Sequence, residues 1–177
     1  MKNPERLKNV FKQIDSKYSK NYLKEIAQSI CDNSIDRITI NKILKKHSID
    51  NYKSYKSEFL DIILDYIGIV LNDDIITEDE LSNCDQLKLI FKIEEGDFYK
   101  YKFTEINKIL LKQLFKLYLD NTINKEEALQ KVAMQKLFDL SYDQFNEFDL
   151  LEAELALKRG ADISELDIFI KNFSRKK

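Results

Sequence analysis

The chain has little of what most catalytic and ligand-binding sites are built from. It contains one histidine, two cysteines, three glycines, one proline and no tryptophan. One histidine and two well-separated cysteines do not make a zinc ligand set, and a Ser-His-Asp or Cys-His arrangement would have to be built around His47 alone. Three scattered glycines leave no phosphate-cradling loop. Long apolar runs are missing too: the greasiest segment, Phe59 to Leu71, is short and interrupted by Asp61 and Asp65, so no segment reads as a membrane span. No Pro-rich or Ser/Gly-rich linker divides the chain. The N-terminus, Met1-Lys2-Asn3-Pro4-Glu5-Arg6, lacks the apolar centre of a secretory signal, and a cytoplasmic address is expected. Cys31 and Cys84 each fall within an apolar-periodic segment, which suits small buried hydrophobes in a reducing compartment.

What is present is helical material. The 177 residues are 44% hydrophobic and 34% charged, enough for a proper core, and strand signals are nearly absent. Asn3-Pro4-Glu5 opens a first helix carrying Leu7, Val10, Phe11 and Ile14. A second follows Ser19 with Leu23, Ile26, Ala27, Ile30 and Cys31 on one face, and a short third is expected from Thr39 to about His47, which would be exposed. A longer helix from Tyr52 to Leu71 has Gly68 inside it, where close approach of a neighbouring helix would explain the missing side chain. Helices over Thr77 to Lys92, Phe98 to Leu119, Asn124 to Asp139 and Ser141 to Lys158 follow. A last one carries Leu166, Ile168, Phe169 and Phe173. Glu95-Gly96-Asp97 is a break at which Gly takes positive φ.

The helices are organised around a repeated junction. Asn72-Asp73-Asp74-Ile75-Ile76-Thr77-Glu78-Asp79-Glu80 ends one helix and begins the next. Forty-seven positions on, Leu119-Asp120-Asn121-Thr122-Ile123-Asn124-Lys125-Glu126-Glu127 does the same. Thr77 and Asn124 are N-cap types, and Glu80 and Glu127 fall at N3, the spacing of a capping box. At the same offset Leu87 matches Met134, Phe91 matches Phe138, Ile93 matches Leu140 and Phe98 matches Phe145. A degenerate third copy is expected at Asp36-Arg37-Ile38-Thr39. The fold class that follows is all-α: a single domain of about eight or nine helices with an internally repeated helix-turn-helix unit. It comprises basic N-terminal helices over 1–58, the repeated core over 59–158, and a C-terminal helix and tail over 159–177.

The run from Ile69 to Glu80, followed by Ile93 and Phe98, resembles the TerB-like family of all-helical tellurite-resistance proteins, whose hallmark is an Asp-Gly-x-Ile-(Ser/Thr)-x-x-Glu connection. Asp73, Ile76, Thr77 and Glu80 match it, as do Asp120, Ile123, Asn124 and Glu127 in the second turn. The chain departs from the pattern at the glycine, where Asp74 and Asn121 stand; both tolerate left-handed backbone. The resemblance covers roughly residues 59–158. It implies a bacterial cytoplasmic module, acidic clusters that bind divalent cations, and a role in stress or phage-defence assemblies.

Charge is unevenly distributed. Residues 1–60 carry 13 Lys/Arg against 7 Asp/Glu, and residues 61–98 carry 2 against 11. Such a split marks either two partner-facing surfaces or intramolecular complementarity. The expectation is a non-enzymatic protein–protein interaction module with no cofactor, whose partner-binding residues are Asp73, Asp74, Glu78 and Asp79. The alternative is a protein that binds Ca2+ or Mg2+ through Asp73, Glu80, Asp120 and Glu127, although helix capping already explains those acids. A further alternative is a nucleic-acid-binding factor that uses the Lys/Tyr faces at Lys17, Tyr18, Lys20, Tyr22 and Lys24 and at Tyr52, Lys53, Tyr55 and Lys56.

Overall fold

The computed structural model describes residues 4–14, 17–49, 55–73, 75–117 and 125–146. Among these there are eight α-helices and no strand: α1 (Pro4–Ile14), α2 (Asn21–Cys31), α3 (Arg37–Lys46), α4 (Lys56–Val70), α5 (Glu78–Phe91), α6 (Asp97–Leu117), α7 (Lys125–Leu137) and α8 (Tyr142–Asn146). A 3-10 turn, Leu71–Asp73, closes α4. The fold is all-α, as the periodicity predicts. The last helix expected from the sequence and the stretch of helix eight beyond Asn146 lie outside the described residues.

The helices fall into two compact units, Met1–Glu94 and Glu95–Lys177. The boundary is the Glu95-Gly96-Asp97 break, where Gly96 has φ +82 and α6 starts at Asp97 with its carboxylate in the positive first turn. In the first unit α1 packs on α2 and α4, α2 on α3, and α5 on α3 and α4. Its centre is aromatic: Phe59 stacks on Phe91 at 5.0 Å, and Phe11 on Tyr66 at 6.1 Å. In the second unit α6 packs on α7, and Phe98 meets Phe138 edge-on at 5.8 Å.

The offset of 47 is a property of the backbone as well as of the sequence. α4 begins after Tyr55, at φ −109 and ψ 2; 47 residues later Lys102 interrupts α6 at φ −135 and ψ 26. The longest helix is therefore a short lead-in followed by a true counterpart of α4, a kink that apolar periodicity alone does not show. The stop signals agree as well. Lys92 and Asp139 are both left-handed, at φ 53 and 48. Ile93 N–H donates to the Lys88 carbonyl at 2.9 Å, and Leu140 N–H to that of Gln135 at 3.1 Å. These are Schellman closures, with the buried Phe91 and Phe138 at the corresponding helix ends. Each compact unit thus carries one of the two matching helix ends.

Three local expectations need correction. Helix α3 begins at Arg37, two residues earlier than Thr39, because Asp36 is its N-cap and accepts from Thr39 N–H at 2.6 Å; the upstream turn is capped by Asp36 and not by Thr39. Gly68 is exposed, and a Cβ built on it would meet nothing within 4 Å, so no neighbouring helix explains it. His47, the C-cap of α3, is half-buried, with Nε2 3.0 Å from Glu25 Oε1 and its ring beside Tyr22.

Candidate functional site

The junction that opens α5 is held by its cap. Thr77 is extended at φ −83 and ψ 158, and its hydroxyl accepts from Glu80 N–H at 3.3 Å. Glu80 Oε2 in turn accepts from Thr77 N–H at 2.9 Å and from Thr77 Oγ1–H at 2.8 Å. This is the reciprocal capping box that the Thr-x-x-Glu spacing predicts. Glu80 is only 2% exposed, so its carboxylate is a buried brace. Ile76, just ahead of the cap, is buried as well, and the Tyr66 hydroxyl reaches the Glu80 carbonyl at 3.5 Å, the outer limit of a hydrogen bond.

Of the other acids in this turn, Glu78 and Asp79 can be followed, and Asp79 also lines the cavity behind the junction. Glu78 and Asp79 are exposed in the first turn of α5, where negative charge complements the helix dipole. Ile75, which sequence reading assigned no role, is 60% exposed beside them. Its neighbour Ile76 is the one of the two consecutive isoleucines that faces the core. Asp73 ends the 3-10 turn. Its side chain, all of Asp74 and Asp120, and the side chain of Glu127 lie outside the described residues, as does Asn124. Of the four proposed metal ligands only Glu80 can be followed, and its bonds go to Thr77. Among the described residues no three His, Cys, Asp or Glu side chains come together as a metal site would require.

Behind the junction lies a cavity of about 120 Å³ lined by Leu7, Val10, Tyr66, Thr77, Glu80 and Asn83, among others. Asn83 is 3% exposed, so two buried polar side chains share this space. A cavity of that size is well below the roughly 300 Å³ at which small-molecule sites begin. The second unit has a wider, open depression lined by Val132, Gln135, Lys136, Asp139, Leu140 and Glu95.

Tyr18 and Tyr22 of the basic N-terminal segment are buried, and Lys17, Lys20 and Lys46 pair with carboxylates while staying exposed. Lys17 pairs with Asp65, and the Tyr18 hydroxyl donates to the same carboxylate at 3.1 Å. About two turns away on α4, Glu58 takes Lys20 at 2.8 Å and the Tyr22 hydroxyl. Lys46 and His47 share Glu25, and Lys56 pairs with Glu94. Burial, reinforced by the Asp65 charge and hydrogen bond, pushes the Tyr18 hydroxyl far above its ordinary pKa; burial and the Glu58 hydrogen bond do the same to Tyr22. Both rings are buried and so offer no face on which a nucleobase can stack. Lys/Tyr interleaving in the sequence gave no sign of this, since the partnering carboxylates come from about forty residues away. Comparison with family models, with curated proteins and with solved structures finds no match for this chain.

Proposed function

We propose that the chain is a non-enzymatic helical module that works by protein–protein contact through the turn opening α5. The observation that supports this reading is the division of labour within one short stretch: Ile76 and Glu80 are buried and fix the backbone, while Ile75, Glu78 and Asp79 face solvent. An apolar anchor rimmed by charge and held in place before the partner arrives is the arrangement that contributes most to association, because little ordering remains to be done on binding. The rim charges would set on-rate and partner choice more than affinity. A place in a bacterial stress or phage-defence assembly, and a cytoplasmic setting, rest on the TerB-like resemblance.

The test is capture of partners from the native cell by the wild-type chain, Ile75→Asp and the double variant Glu78→Lys/Asp79→Lys. Loss of capture is expected for both variants, with an unchanged melting temperature for Ile75→Asp and a modest drop for the double variant, whose lysines oppose the helix dipole; intact capture by both would remove this face from consideration. Millimolar Ca2+ or Mg2+ is expected to leave the melting temperature where it was. A rise of several degrees would favour the metal-binding alternative instead.

A further inference from the structure

The first unit leaves three large apolar side chains exposed among its described residues: Ile75, Ile38 and Leu89 at 60%, 64% and 62%. They lie at opposite ends of α5. Ile75 precedes its first turn, and Leu89 is in its last. Ile38 is in the first turn of α3, which is tied to that last turn by Arg37, whose Nε and Nη2 both donate to the Leu89 carbonyl at 3.2 and 3.0 Å. With 14 residues in α5, the two ends are about 21 Å apart at about 1.5 Å per residue.

The charge around the two ends is of opposite sign. At the Ile75 end stand the exposed Glu78 and Asp79. At the other end, Ile38, Asn41, Lys42 and Lys45 are all exposed at i, i+3, i+4 and i+7, so they form one outward stripe of α3. Lys92, exposed at the end of α5, adds to it. Of the acids nearby, Asp36 caps Thr39, Asp85 holds Lys88 at 3.2 Å and Glu94 holds Lys56 at 3.3 Å, and Glu95 is exposed beyond them. One rigid unit therefore carries an apolar anchor in an acidic rim and an apolar pair in a basic rim, on surfaces about a helix length apart.

Resting on the contact role proposed above, we infer that the partner of the acidic turn is a second copy of this chain, docked head to tail: Ile75, Glu78 and Asp79 of one copy against Ile38, Leu89, Lys42 and Lys45 of the next. The contact is heterologous, since the two faces differ, and so it leaves one face of each kind open at the ends of an assembly. Two such patches are small, so the association is weak and assembles with rising protein concentration. Salt weakens it, by about tenfold between roughly 50 and 500 mM NaCl.

Sedimentation of the purified full chain tests this. The wild-type mass rises above the 21.0 kDa of the monomer as concentration increases at low salt. Glu78→Lys/Asp79→Lys keeps only the basic face and Lys42→Glu/Lys45→Glu only the acidic one, so each variant alone stays monomeric. Mixed in equal amounts they associate again, through the remaining native faces and the charge-exchanged ones alike, and this shows that neither variant is merely misfolded. A wild-type chain that is monomeric at every concentration overturns the inference, as does self-association that either variant retains, or a mixture that fails to pair. Such a failure leaves capture of other proteins from the native cell untouched and is read separately from it.

Discussion

At Gly68 the backbone is helical, the residue is exposed, and an added Cβ meets nothing within 4 Å. Replacement by Ala removes unfolded-chain freedom without a packing cost. Gly68→Ala should therefore raise unfolding free energy by about 0.5–1 kcal/mol in a urea titration. Gly96 gives the opposite sign: open space also surrounds it, but its φ of +82 makes Gly96→Ala cost about 1–2 kcal/mol. Sequence alone read Gly96 correctly because its turn is local, flanked by Glu95 and Asp97. It misjudged Gly68 because what packs beside a helix depends on residues far away in the chain. The same distance hid the burial of Tyr18 and Tyr22. Both have raised pKa values, so the stability they confer is fully present below the ordinary tyrosine pKa and is lost as pH rises through the raised folded value. Absorbance titration of the nine tyrosines should show these two ionising only as helical circular dichroism is lost above about pH 10. Their ionisation while the helices remain intact would contradict the buried hydroxyl–carboxylate pairs.

Among the elements, the caps were the most legible features and the kink the least. Thr-x-x-Glu at Thr77 and Glu80 forms its box. The same rule applies at Ser141 and Gln144, where Ser141 N–H donates to Gln144 Oε1 at 3.0 Å and Gln144 N–H to Ser141 Oγ at 3.2 Å. Thr77→Ala strips the buried Glu80 carboxylate of the hydroxyl it accepts from and leaves Glu80 N–H without the acceptor it has now. A loss of about 1–2 kcal/mol is expected by denaturant unfolding, with Thr77→Ser close to wild type. An unaffected alanine variant would mean that the box does not stabilise α5. The break at Lys102 had no glycine or proline to announce it. It becomes readable only when the repeat is imposed, since Tyr55, 47 residues earlier, is where α4 begins. The start of α3 was misplaced because Asp36 and Thr39 are both good caps, and the sequence does not rank them. Its Asp side chain takes the Thr39 amide.

For the molecule as a whole, the uneven charge visible in the sequence is partly paired across the helices, and only the coordinates show where. Lys17, Lys20 and Lys56 pair with Asp65, Glu58 and Glu94 within the first unit, Lys17 and Lys20 while still exposed, and Lys42, Lys45, Glu78 and Asp79 also lie at the surface. Composition can count such charges but not pair them, because pairing is set by how the helices pack. Two other carboxylates, Glu25 and Asp36, bear on the acid response. Hydrogen bonds from Lys46 and His47 hold the Glu25 carboxyl below the usual carboxylate range, and the Thr39 amide does the same to Asp36. For both, the folded pKa is depressed, so their contribution is present above the unfolded value near 4 and is lost as pH falls through the lower folded value. Melting temperature should therefore be flat from about pH 6 to 5 and decline below about pH 4. Asp36→Asn retains a cap without a titrating group, so its melting curve should fall less steeply in acid than that of the wild type while matching it near neutrality. Parallel acid limbs for the two proteins would show that the Asp36 cap does not carry this linkage and would leave Glu25, with Lys46 and His47, as the pair to test next.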